Sequence, residues 1–204
     1  MIQHSYFLLG IYTILWCFFH SVLISKSITE FCKINFGTFF KFYRILYNIL
    51  STFTFLFLIW YTRSIKEQLL FNWESGYEFV RALLITIALL LLFAGAKSYD
   101  MLSFSGIRQV KQNTTQLTLS KKGKILTNGI LGIIRHPWYT ATFLIIWSRN
   151  IYISTLITNF ILSFYLLIGC YLEEKKLILE FGAEYQDYQK NVSKFTPWKW
   201  FKNK

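Results

Sequence analysis

Five apolar runs separated by polar connections constrain this chain more than any other feature. They cover roughly Ser5–Ser25, Ile45–Tyr61, Tyr77–Ala96, Pro137–Trp147 and Ile151–Leu172. A helix rising about 1.5 Å per residue needs about 20 apolar residues to cross the roughly 30 Å hydrocarbon core of a bilayer. The first, third and fifth runs meet that length, the second suffices, and the fourth is short. The chain is 54% hydrophobic and 20% aromatic against 16% charged, so the expected fold is all-α. It is a polytopic membrane helical bundle with about five transmembrane helices. No Lys or Arg precedes the first run and no small-residue cleavage site follows it. It is therefore read as a retained helix and not as a signal peptide.

The net charge of +12 suggests nucleic acid at first sight, but its distribution excludes that partner. All but four of the 22 Lys and Arg lie in 26–44, 97–135 and 173–204, between or after the apolar runs. The exceptions are Arg63, Lys66, Arg81 and Arg149. The positive-inside rule then puts the three basic segments in the cytoplasm and the N-terminus outside, as for a multi-pass protein of a bacterial inner membrane. Cys17, Cys32 and Cys170 are isolated and odd in number, which predicts neither a zinc site nor a disulfide framework, so no metal is expected.

The longest polar stretch, 97–135, has a turn signal at Ser120-Lys121-Lys122-Gly123 and leads directly into Arg135-His136-Pro137-Trp138-Tyr139. One hairpin later come Glu173-Glu174. Titratable clusters at both ends of one membrane hairpin predict a polar pocket at one face of the bilayer. From Glu173 the tail reads as an amphipathic helix, with Leu177, Phe181, Tyr185, Tyr188 and Val192 at three- and four-residue steps. Glu173 falls on that apolar stripe and Glu174 is rotated about 100° from it. A carboxylate on the packed side needs cations or donors, which makes Glu173 the better site candidate. Taken singly, an interfacial His, a Trp-Tyr belt or a capping Glu is ordinary membrane-protein furniture. Their order and spacing point to a site.

Thr127-Asn128-Gly129, Arg135-His136-Pro137-Trp138-Tyr139, Glu173-Glu174, Phe181-Gly182, Tyr185, Tyr188, Val192 and Pro197 follow one another in this order. The pattern resembles the C-terminal half of isoprenylcysteine carboxyl methyltransferases and related membrane phospholipid methyltransferases, over roughly residues 112–198. The resemblance implies a cytoplasm-facing pocket for S-adenosylmethionine beneath a C-terminal helix. It also implies cofactor contacts from Gln116, Gly123, Lys124, Ile125, Leu126, Leu131, His136, Pro137, Trp138, Tyr139 and Glu173. The chemistry suits these residue types. Aromatic faces attract a sulfonium, and a carboxylate pairs with the cofactor's ammonium. Pro137 fits the first turn of a helix. Methyl transfer as an in-line displacement needs positioning more than it needs a nucleophilic residue. Membrane sterol reductases share an RHPxY-like motif and bind a nicotinamide cofactor. The carboxylate pair here would repel a phosphorylated dinucleotide, which disfavours that reading.

Upstream, His20-Ser21, Tyr43-Arg44 and Tyr47-Asn48 stand out, and Arg44 and Asn48 share a helix face four residues apart. This half is similar to bacterial small-thiol methyltransferases and to membrane proteins associated with nitric-oxide reduction. Arg44 and Asn48 are substrate-side candidates, whereas His20 is read as a packed interhelical hydrogen bonder. The expected organisation is a single membrane domain, with N-terminal helices over 1–97 and a cofactor-binding half over 98–204. Where the resembling carboxyl methyltransferases carry an Arg before the Glu pair, this chain has Gly169, which removes a clamp for an acceptor carboxylate. The acceptor is expected to be small or lipid-like: a thiol, an amine, a lipid head group or, with its clamp in question, a carboxylate. A non-catalytic membrane accessory protein on the same scaffold is the alternative.

Overall fold

In the computed structural model, which describes residues 2–74, 76–113 and 125–202, each apolar run becomes a helix. In chain order the helices are α1 (Ile2–Ile24), α2 (Lys26–Phe36), α3 (Tyr43–Ser64), α4 (Glu78–Ser98) and α5 (Met101–Ser105). They continue with α6 (Ile107–Lys111), α7 (Pro137–Trp147), α8 (Ile153–Phe181), α9 (Ala183–Asn191) and α10 (Trp198–Lys202). Single 3-10 turns occupy Gly37–Phe42 and Gly129–Gly132. Among the described residues there is no β-strand, only two isolated bridges, so the protein is an all-α bundle as expected.

Among the described residues, four helical stretches are long and apolar enough to cross a membrane: Ile2–Ile24, Lys26–Ser64, Glu78–Ser98 and Ile153–Phe181. The fourth apolar run forms α7, whose 11 residues rise only about 16 Å, half the hydrocarbon thickness. Phe53, Phe79, Phe93 and Phe164 are all more than half exposed, a surface suited to lipid chains and costly in water. This is an integral membrane protein.

Two compact units are present. The first comprises the described residues of Met1–Leu70, Met101–Leu119 and Tyr152–Leu162; the second comprises those of Phe71–Asp100, Ser120–Ile151 and Ser163–Lys204. In the first, α1 packs on α3. The Tyr47 hydroxyl meets the His20 ring at 2.9 Å, and the His20 ring stacks on Trp16 with centroids 4.9 Å apart. His20 thus has the interhelical role expected of it. Glu67 caps the start of α8: its carboxylate accepts from the Ser154 amide at 3.1 Å and from the Tyr6 hydroxyl at 2.9 Å. Such a cap satisfies helix-start N–H groups that lipid cannot.

In the second unit α4 packs along α7 around Ala88, Leu91, Ile134 and Ala141. Pro137 occupies the first turn of α7, where its missing N–H costs nothing. The tail departs from expectation in one respect. The stripe from Glu173 to Val192 predicts one helix, yet α8 ends at Phe181 and α9 starts after Gly182, whose φ of +57° lies in a region that disfavours side chains. That break redirects the chain, which then returns to the segment preceding α7.

Candidate functional site

The site is built where two irregular segments of the second unit run side by side. Ile134 and Ser193 form a parallel bridge; the Arg135 amide donates to the Ser193 carbonyl at 2.9 Å and the His136 amide to that of Lys194 at 3.1 Å. The C-terminal segment is thereby fixed against the residues that open α7. Glu173 and Glu174 reach the same place from the last turns of α8.

Glu174, 6% exposed, is the anchored member of the pair. Arg135 donates to its Oε1 from Nε at 2.9 Å and from Nη2 at 2.6 Å, and Lys194 Nζ lies 2.9 Å from Oε2. The remaining arm of Arg135 donates to the carbonyls of Gln189, at 3.1 Å, and Val192. One guanidinium thus ties α8, the end of α9 and the segment before α7 into a single node. Sequence periodicity put Glu173 on the packed side, but the face of α8 is set by the whole helix, whose buried line here runs Cys170 to Glu174. Two cations make the burial of the second carboxylate possible.

Glu173 keeps its side chain 42% exposed. The Tyr139 hydroxyl hydrogen-bonds to it, and its Oε2 lies 3.8 Å from His136 Nδ1. His136 Nε2 is 3.2 Å from Glu174 Oε1. A carboxylate only accepts, so the neutral ring carries its proton on Nε2 and presents Nδ1 as an acceptor. Burial holds the His136 pKa below its ordinary value, against the pull of both glutamates. The result is two acceptors side by side, Nδ1 and the Glu173 carboxylate, spaced to receive a cationic hydrogen-bond donor.

Tyr99 lies just past α4. Burial and then the charge of Glu173 push its hydroxyl pKa up to about 12. Its ring packs on Trp138 with centroids 4.9 Å apart. Trp138 itself is turned to α4: its indole N–H donates to the Leu92 carbonyl at 3.1 Å, and a Cβ on Gly95 would sit 2.3 Å from that nitrogen.

The other residues expected from sequence fall as follows. Pro137 is buried at the start of α7, and Leu131 is buried with its carbonyl accepting from the Tyr188 hydroxyl. Ile125 is half-buried and irregular. Leu126 lines a cavity of ≈ 360 Å³ with Lys97, Ser98, Asn128 and Gly129. Gln116, Gly123 and Lys124 lie outside the described residues. Arg44 and Asn48 belong to the first unit, where Arg44 Nε and Asn48 Nδ2 each donate to the Phe104 carbonyl at 3.1 Å, at the end of α5. Gly169 abuts the Tyr139 ring, 3.6 Å from where its Cβ would be. Lys194 and Tyr99 escaped the sequence reading, one because tail lysines look like positive-inside charge, the other because a Tyr at a helix end looks like interface belt. His136, Cys170 and Glu174 place donor atoms within 4.8 Å of one another. A dication among them would compete with Arg135 and Lys194, which already hold both oxygens of Glu174.

A model of the NnrU protein family matches residues 7–179. The chain belongs to the NnrU family. Among curated proteins, this NnrU chain is similar to methanethiol S-methyltransferase of Pseudomonas deceptionensis, 35% identical over 91 residues, covering 43% of this chain and 35% of that protein. It is also similar to methanethiol S-methyltransferases 1 and 2 of Bradyrhizobium diazoefficiens. The first is 24% identical over 157 residues, 75% of this chain and 54% of the relative; the second is 28% identical over 155 residues, 74% and 58%. The NnrU chain therefore spans little more than half the length of these relatives, or less. No solved structure matches it. The family and these relatives bear out the resemblance to isoprenylcysteine carboxyl methyltransferase-like membrane methyltransferases. The family match includes α7 and Glu173-Glu174 but stops before Lys194.

Proposed function

We propose that this protein is an integral membrane methyltransferase that takes its methyl group from S-adenosylmethionine. The observation that carries the reading is the pair of acceptors at Glu173 and His136 Nδ1, 3.8 Å apart, beside a Glu174 already neutralised by Arg135 and Lys194. Such a pair fits an ammonium group. S-adenosylmethionine supplies an electrophilic methyl on a sulfonium three carbons from its ammonium. Glu173 pairs with that ammonium, His136 accepts from it through Nδ1, and Tyr139 orients the Glu173 carboxylate through its hydroxyl. The Arg135–Glu174–Lys194 node keeps these groups in place, so the chain's work is positioning and exclusion of water.

The acceptor is small or lipid-like, and the names of the relatives favour a thiol. Arg135 and Lys194 are engaged by Glu174, and Gly169 stands where the resembling carboxyl methyltransferases carry an Arg, which disfavours an acceptor carboxylate. Arg44 and Asn48, whose side chains donate to the Phe104 carbonyl, are the candidates for contact with the acceptor. The positions of the basic segments support a site that faces the cytoplasm, and the membrane is read as a bacterial inner membrane. A second reading, a non-catalytic membrane accessory protein, draws support from the NnrU family match alone.

The test is binding and turnover with labelled S-adenosylmethionine on purified protein in nanodiscs, over small thiols, amines and lipid extracts. Glu173→Ala and His136→Ala should each weaken binding about tenfold or more, as loss of a charge-assisted hydrogen bond worth about 1.5–3 kcal/mol requires. Wild-type binding untouched by either change rejects the site, and binding with no turnover on any acceptor favours the accessory reading.

A further inference from the structure

We infer that α10 is an interfacial anchor that lies on the bilayer surface beside α7 and takes anionic lipid head groups. Hydrogen bonds run the C-terminal segment along the start of α7. The Arg135 and His136 amides donate to the Ser193 and Lys194 carbonyls, and the Thr140 hydroxyl donates to the Phe195 carbonyl at 3.1 Å. This end of α7 lies against the end of α4, where the Trp138 indole N–H donates to the Leu92 carbonyl. The α4 helix is long and apolar enough to cross a membrane, and in its last turn Lys97 Nζ sits 4.5 Å from the centroid of the exposed Phe93 ring. A lysine over a lipid-facing ring at a helix end marks the level where hydrocarbon gives way to head groups. The Ser193–Phe195 segment leaves the site at that level, and α10 begins with Trp198. Trp198 and Phe201 share one face of α10 and are 71% and 64% exposed, with exposed Lys202 beside them. Such a face is costly in water and suits the zone between acyl chains and phosphates, where rings sit among the carbonyls and an ammonium meets a phosphate. The stretch from Lys190 to Lys204 carries lysines and no acidic residue, which favours anionic over zwitterionic lipid. The helix is also held ready for this contact. The Lys199 amide donates to Ser193 Oγ at 2.9 Å and Lys199 Nζ to the Gln189 carbonyl at 2.8 Å, which ties α10 to the segment beside α7 and to the end of α9. Arg135 donates to that same Gln189 carbonyl, so lipid that seats α10 also steadies the Arg135–Glu174–Lys194 node. Tethered at the membrane, α10 meets lipid at high effective concentration, and a few contacts are enough to seat it.

The test uses the full-length protein in nanodiscs of phosphatidylcholine, with and without phosphatidylglycerol, whose acyl chains are brominated near their carbonyl ends. The emission of Trp198 is isolated as the difference between wild type and Trp198→Phe, a change that keeps an aromatic ring on α10. The bromolipid should quench this emission, about twofold more strongly when phosphatidylglycerol is present. Hydrogen exchange reports the link to the site. The Arg135 and His136 amides should exchange about fivefold more slowly in the anionic nanodiscs, and Lys202→Gln should lose much of that protection. Quenching that does not respond to phosphatidylglycerol overturns the anionic preference. Emission quenched by acrylamide and not by bromolipid overturns the anchor, and shielding from both quenchers overturns it in favour of a second copy of the chain on this face. Exchange that is the same in both lipids, or protection that Lys202→Gln leaves intact, overturns the coupling to the site.

Discussion

Two adjacent glutamates on one helix have opposite fates, and the difference is electrostatic company. Glu174 is enclosed with Arg135 and Lys194, whereas Glu173 meets His136 and Tyr139 and stays half-exposed. Removing one partner of a buried ion pair leaves uncompensated charge, which costs about 3–5 kcal/mol. Glu174→Ala should therefore lower the melting temperature of detergent-solubilised protein sharply, while Glu173→Ala should leave it within a few degrees of wild type. Equal shifts would refute the division. His136 provides a second residue-level prediction. Its folded pKa lies below the unfolded value of about 6.5, chiefly through burial, and the groups facing it are Arg135, Glu173, Glu174 and Tyr139. As pH falls through about 6.5 the unfolded chain gains a proton that the folded ring resists, so stability present above that pH is lost below it. A plot of melting temperature against pH between 7.5 and 5 should slope less in His136→Asn than in wild type. Neither the identity of the buried glutamate nor the role of Lys194 was legible in sequence. Both depend on which residues from distant segments come to face α8.

At the scale of elements, the apolar runs announced their helices because membrane thickness sets a length that can be counted. Tyr77–Ala96 and α4 (Glu78–Ser98) agree within two residues, and Pro137–Trp147 is α7 to the residue. The break at Gly182 was hidden because the apolar steps Leu177, Phe181, Tyr185 and Tyr188 continue through it, and periodicity does not register a single left-handed residue. The close approach of α4 to α7 was hidden too, since a glycine in an apolar helix carries no label. In an ordinary helix Gly→Ala stabilises by about 1 kcal/mol. At Gly95 the new methyl would meet Trp138 Nε1 at 2.3 Å and Cδ1 at 2.6 Å, and the indole would have to leave the Leu92 carbonyl. Gly95→Ala should thus destabilise by about 1–3 kcal/mol, the usual cost of overpacking, with a change in tryptophan emission. A melting temperature equal to or above wild type would show that the indole relocates freely.

For the whole molecule, composition and charge placement were enough to read an integral membrane protein, and motif order was enough to read the methyltransferase-like family. The pairing of Ile134–His136 with Ser193–Lys194 was not readable, because one isolated bridge between irregular segments leaves no repeat in the sequence. That pairing has a consequence for how the protein is made. Ser193 and Lys194 follow all of the described helices that are long and apolar enough to enter the bilayer. During synthesis all of those helices can be inserted while Arg135 and Glu174 still lack the segment that completes their cage. The charge of Glu174 is therefore fully enclosed only after the helices that carry it into the bilayer have been made, when Lys194 follows and folds back on it.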